Sequence, residues 1–256
     1  IQTDGSGVLT FVDPSTVSSL NTISDALIEN DSLYIGHDPN ATTTDTAQYN
    51  VAVGVTALNA ITSGDSNTAV GYNALTANDI GFSNTAIGSN ALAANTSGES
   101  NTAVGYESLN LNEIGCDNTA IGRHALKKLN PTTNTVVGVS GVGNVAIGKG
   151  TLPELTTGEY NIAIGAEGVG STLTTGGSNI LIGQGANVDS ASATNRIVIG
   201  DGVTAGVDDT VTLGNTSVTD VYMAQNGEAI VHAGGFTMNS GGSAVYSLPT
   251  ADGSSG

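Results

Sequence analysis

Short apolar runs closed by a glycine recur along the chain: VAVG ends at Gly54, TAVG at Gly71, TAIG at Gly88, TAVG at Gly105 and TAIG at Gly122, each 17 residues after the last. The beat loosens but persists through Gly138, Gly148, Gly165, Gly183, Gly200 and Gly214, and LYIG ending at Gly36 is an outlying copy. One residue before the glycine every position is aliphatic, as in Val70, Ile87, Val104 and Ile121. Three residues before it every position of the rungs from Val51 to Val211 is β-branched, the kind of side chain a pleated surface favours. Period two places both columns on one face, and the alanines between them (Ala52, Ala69, Ala86, Ala103, Ala120, Ala146, Ala163) on the other.

Leucines recur four residues after the glycine (Leu58, Leu75, Leu92, Leu109, Leu126, Leu152) and predict a second short strand, followed by polar turn text such as TSGDS and TSGES. A strand, a corner, a second strand and a turn make one coil of a narrow parallel β-solenoid. About a dozen coils of about 17 residues, stacked ~4.8 Å apart, span something over ~50 Å. An asparagine opens the rungs (Asn50, Asn67, Asn84, Asn101, Asn118, Asn134, Asn144, Asn161, Asn179, Asn195) and is expected to bond its stacked copies or the local backbone. Asn67, Gly71, Asn84, Gly88, Asn101, Gly105, Asn118 and Gly122 are thus the structural signature of the repeat. Residues 51–84 and 85–118 match at about 20 of 34 positions, so surface decoration repeats every second rung. A helical repeat is disfavoured by the Gly, Thr, Val and Asn content and by the missing 3.6-residue period; LNTISDALIEN at 20–30 is the one stretch that reads as a short helix.

So narrow a coil is expected to enclose a file of Val, Ile and Leu, leaving the alanine face to pack closely on another subunit. A homotrimer is the assembly that uses it, with a monomer as the alternative. The organisation expected is a connecting module at 1–49, the solenoid at 50–214 and a capping or linker module at 215–256, within a chain whose ends, IQTDGSG and LPTADGSSG, read as linker text of something longer.

Composition narrows the functions. Five basic against 23 acidic residues leave a net charge of -18, which repels nucleic acid. A single cysteine, Cys116, excludes an intrachain disulfide and a CxxC metal site. No apolar run approaches the roughly 20 residues that cross a bilayer, and no signal peptide opens the chain. Neither paired carboxylates nor a Ser/His/Asp set stands out, so no catalytic, cofactor or metal site is expected. Asp65 and Glu99 lie on alternate rungs, as an oxygen-rich calcium edge would require, but the nonapeptide of stacked calcium turns is missing and a solvated acidic edge is the expected reading. GVGNVAIGKG lacks the ending of a phosphate loop.

The cations are less evenly spread. Arg123, Lys127 and Lys128 with His124 form RHALKK, and Lys149 occupies the column of Arg123 about two rungs on. They read either as ion pairs with Glu113 or Asp117 or as a grip on acidic sugars. Tyr72 and Tyr106 share that column two rungs apart, ~9–10 Å, where they either stack on sugar rings or cover hydrophobic edges.

The repeated run of Asn, then Thr, Val or Ile, then Ala, then Val or Ile, then Gly resembles the head repeats of trimeric autotransporter adhesins of the YadA type, which form left-handed parallel β-rolls assembled as trimers. The longer wording, SNTAVGYNAL with TSGDSNTA, together with NDSLYIG, VTLGNTSVTDVYMAQNGEAIVHAGG and the two flanks, is similar to tail-fibre and virion-fibre proteins of tailed phages, notably those of cyanobacterial hosts. The resemblance covers about 50–214. It implies a structural fibre segment on a virion surface, partnered by its own copies, other fibre modules and a host-surface glycan or protein. The rivals are the head of a bacterial trimeric surface adhesin and a polysaccharide-degrading tailspike.

Overall fold

The computed structural model describes residues 2–3, 9–10, 26–36, 46–131 and 141–218. Residues 1–218 form one compact unit and 219–256 a second, the latter outside the described residues. Strands β1 (Gln2–Thr3) and β2 (Leu9–Thr10) pair antiparallel. Strand β3 (Ala26–Glu29) turns back on β4 (Ser32–Ile35). The turn residues Asn30 and Asp31 both have positive φ, 48° and 59°, the geometry that matches a hairpin's twist. The part of the expected helix at 20–30 that is described is therefore strand: pairing with β4 overrides a weak local preference.

From β4 onward the chain is a parallel β-solenoid. Strands β5 (Val51–Val53), β6 (Thr68–Val70), β7 (Thr85–Ile87), β8 (Thr102–Val104), β9 (Thr119–Ile121), β10 (Val145–Ile147), β11 (Ile162–Ile164), β12 (Ile180–Ile182), β14 (Ile197–Ile199) and β16 (Val211–Leu213) follow β4 in one sheet. A minor two-stranded strip joins β13 (Asn187–Val188) to β15 (Thr204–Ala205). Register is strict: Val70 faces Ile87, Ile87 faces Val104, and Val104 faces Ile121. The outlying copy at Gly36 belongs to the stack, because Leu33 pairs with Val51. The rung expected at Val137 and Gly138, with Asn134, lies outside the described residues; β10 stacks directly on β9.

The two faces of the strand are the reverse of the expectation. Ala69, Ala86, Ala103 and Ala120 are fully buried within the single chain, whereas Ile87, Ile121 and Ile164 are 41, 39 and 38% exposed. The alanines therefore line the interior of the coil and do not face another subunit. Size decides this. The interior is narrow and already holds Leu58, Leu75, Leu92, Leu109 and Leu126, all fully buried, so only a small residue fits across from each leucine. Where the leucine is lost the strand compensates. Gly170 stands in the leucine column, and a Cβ there would lie 2.9 Å from Cδ1 of Leu181, which replaces alanine in the strand. Core volume is conserved by exchange across the coil.

The leucine segment is not a second strand. Leu75, Leu92 and Leu109 take left-handed conformations, φ 51°, 49° and 47°, two residues after Asn73, Asn90 and Glu107, which are also left-handed. The arc curls each leucine beneath its strand, and its complete burial, worth about 1.5–3 kcal/mol, offsets a strain of similar size. Stacking is preserved, with Leu75 N donating to Ala91 O at 3.1 Å and Leu92 N to Ser108 O at 3.0 Å.

Asparagines form a buried file through the coil. Asn84 donates its backbone N–H and its Nδ2 to Oδ1 of Asn67, at 3.0 and 3.2 Å, and Nδ2 also reaches Gly98 O at 2.8 Å. The pattern repeats from Asn50 to Asn179 and ends at Arg196, whose N–H bonds Asn179 Oδ1 at 3.1 Å. Asn195, placed in this file from the sequence, sits one residue earlier in the left-handed corner column, φ 51°. A shorter file runs through Asn78, Asn95 and Asn112. Leu129 follows Asn112 in the next rung and has no side-chain donor, so Asn112 Oδ1 is buried without a partner.

Candidate functional site

A surface column begins one residue after each strand-closing glycine. In-register backbone bonds align Val55, Tyr72, Ser89, Tyr106, Arg123 and Lys149: Asn73 N to Val55 O, Asn90 N to Tyr72 O, Glu107 N to Ser89 O, His124 N to Tyr106 O, and Gly150 N to Arg123 O. Lys149 is thus one rung from Arg123 and not two, because no described rung intervenes between β9 and β10. Tyr72 and Tyr106 are 56 and 44% exposed.

Around Tyr106 the column becomes a cluster. The Arg123 guanidinium lies 5.8 Å from the Tyr106 ring centroid and the His124 ring 5.5 Å from it. Glu107 Oε2 receives Lys127 Nζ at 2.6 Å and lies 3.3 Å from His124 Nε2. The hydrogen bond from Lys127, then that from the Tyr106 hydroxyl, hold the Glu107 carboxyl below the usual range. Hydrogen bonding to Glu107 pushes the Tyr106 phenol up. Burial, then the charges of Arg123 and Lys127, hold His124 below its ordinary value against the pull of Glu107. Lys128 pairs with Glu154 at 2.6 Å and Lys149 with Glu167 at 3.5 Å. Ion pairing is therefore what the structure shows for the lysines, but with Glu107, Glu154 and Glu167 in place of Glu113 and Asp117. Glu113 accepts from Asn130 Nδ2.

Asp65 and Glu99 do share a column two rungs apart, with Phe82 between them: Ser83 N bonds Asp65 O and Ser100 N bonds Phe82 O. Asp65 accepts the Gln48 N–H at 2.7 Å. Among the described residues no group of three metal-ligating side chains converges. Cys116 is a half-buried free thiol, pushed up by burial.

Sequence reasoning missed Arg196. Its side chain is 4% exposed and bonds Asp189 Oδ1, Asp208 Oδ1 and Ala205 O, closing the asparagine file. The signal was present as a charged residue in the asparagine column. The Asp208 carboxyl is held below its ordinary value first by the Thr194 N–H and then by Arg196. A carboxyl depressed in the folded state contributes stability above its unfolded value, near 3.8, and that contribution is lost as pH falls through the lower folded value. Amide protection in β12 and β14, corrected for the intrinsic exchange rate at each pH, is therefore expected to fall below about pH 4. Arg196→Met is expected to cost about 2 kcal/mol at pH 7 and to flatten this acid response; an unaltered response in the variant would refute the clamp.

The chain matches no protein family, no curated protein and no solved structure significantly.

Proposed function

We propose that this chain is a segment of a tailed-phage virion fibre, a left-handed β-solenoid assembled as a trimer that holds a host-contacting surface away from the particle. One observation carries the reading: an aliphatic and β-branched sheet face that runs unbroken from Leu33 and Ile35 to Val211 and Leu213, with Ile87, Ile121, Ile147, Ile164 and Ile199 each more than a third exposed. Monomeric proteins rarely leave so long an apolar patch in water. The face is a repeating ladder in strict register, and so fits a second ladder of equal pitch, which copies of this chain supply. Scarce Lys and Arg, five in 256 residues, suit a protease-rich exterior.

Light scattering is expected to give three times the 25.3 kDa chain mass, with rods seen by electron microscopy. Ile87→Lys combined with Ile121→Lys and Ile164→Lys places charges on that face and is expected to yield monomers with the solenoid's circular dichroism intact. A monomeric wild-type chain overturns the assembly.

A further inference from the structure

We infer that the column through Tyr72, Tyr106, Arg123 and Lys149 is a binding ridge for an acidic polysaccharide strand lying along the solenoid axis. This rests on the attachment role proposed above and supplies its ligand class. Four features of the surface lead here. The two tyrosines stand on alternate rungs, ~9.6 Å apart, which leaves room for successive sugar rings to meet an aromatic face without bending the strand. Both rings are about half exposed, and an aromatic ring with a polar edge suits the mixed apolar and hydroxylated faces of a sugar.

Next along the same line come two cations. Arg123 meets the Tyr106 ring but pairs with none of the carboxylates that hold the three nearby lysines. Its planar fork is free to take a carboxylate, sulfate or phosphate in bidentate fashion. Lys149 shares its charge with Glu167, but both groups are more than half exposed and 3.5 Å apart, a contact worth little and readily exchanged for a ligand anion.

Finally, the ridge holds Arg123, Lys127 and Lys149 against Glu107 and Glu167, a surplus of positive charge in a chain of net charge -18. Lys127 is committed to Glu107. The surrounding acidity repels a polyanion at long range, so recognition operates at contact distance, and binding is strongest where salt shortens the repulsion to within ~8–10 Å.

The test uses the full chain and four immobilised probes in ~0.15 M salt: polygalacturonate and hyaluronan as carboxylated chains, a teichoic acid as a phosphate-bearing chain, and dextran as a neutral one. At least one anionic probe is expected to retain the protein and dextran is not. Arg123→Gln and Tyr72→Ala are each expected to weaken retention at least tenfold, whereas Tyr160→Ala, an equally exposed tyrosine in another column, leaves it unchanged. Retention by teichoic acid alone identifies phosphate as the anion, and retention by the uronates alone identifies carboxylate. No retention by any anionic probe, equal retention by dextran, or insensitivity to Arg123→Gln overturns the ridge. A trimer that binds none of the probes removes the ridge and leaves the fibre; a monomer that binds through Arg123 does the reverse.

Discussion

Gly88→Ala is expected to cost more than about 4 kcal/mol and to lower Tm by roughly 10 °C. Two independent effects add. The backbone at Gly88 has φ +138°, a region open in practice to glycine and costing other residues about 1–3 kcal/mol. A Cβ placed there would also lie 2.6 Å from Gly105 O and 2.7 Å from Gly105 C in the next rung. Those atoms are backbone and belong to the stack, since Gly105 N bonds Ile87 O at 2.8 Å, so no side chain can swing aside. The rungs must part. Because each rung touches only its neighbours, the damage is local, and hydrogen exchange is expected to lose protection first in β7 and β8. A substitution that left Tm within 2 °C of the parent would show that the rungs are not held at this spacing.

The second large effect is expected at Asn101. Its Oδ1 accepts both the backbone N–H and the Nδ2 of Asn118, at 3.1 and 3.2 Å, while its own Nδ2 reaches Asn84 Oδ1 and Gly115 O at 3.2 and 2.8 Å. Asn101→Leu keeps the bulk and removes every one of these bonds. Gly115 O retains Asn112 Nδ2, and Asn118 Nδ2 retains Gly141 O, but the buried N–H of Asn118 is left with no acceptor. At about 1–3 kcal/mol for an unsatisfied buried group, plus the lost bonds of the file, the cost comes to about 3–5 kcal/mol. Asn101→Asp is expected to be as harmful, because a carboxylate cannot donate to Gly115 O and carries charge into the core. Urea unfolding of both variants, compared with Ser89→Ala on the exposed column, measures the difference. A leucine variant as stable as the parent would mean that the asparagine file specifies register without contributing stability.

Both predictions fall on residues whose importance the repeat made visible beforehand: a glycine and an asparagine at fixed offsets from every strand. The strands themselves were equally legible, because three-residue runs of Thr/Val, Ala and Val/Ile closed by glycine suit one conformation only. The surface column was legible as well. That Tyr72, Tyr106, Arg123 and Lys149 align follows from counting rungs, once β10 is known to stack on β9. Counting alone misjudged that step, since nothing between Ile121 and Val145 announces how many coils the intervening chain makes. The lysines' partners were not legible either. Spacing showed acids nearby, but whether Glu107 or Glu113 meets Lys127 depends on which corner each side chain leaves from, and it is Glu107, at a left-handed position of φ 52°, that reaches Lys127.

The sequence by itself determined the period, the stacking register, the position of the three-residue strands that a glycine closes and the asparagine file as far as Asn179, because these follow from chemical identity recurring at constant intervals. Tertiary structure alone decided which side of the strand is inside. Alternation defines two faces but gives neither a sign, and hydropathy pointed to the valines and isoleucines as the core. The left-handed arc settles the matter: wherever it folds a leucine under the strand, from Leu58 to Leu152, the coil has room only for alanine opposite, and the larger aliphatic side chains turn outward to the surface.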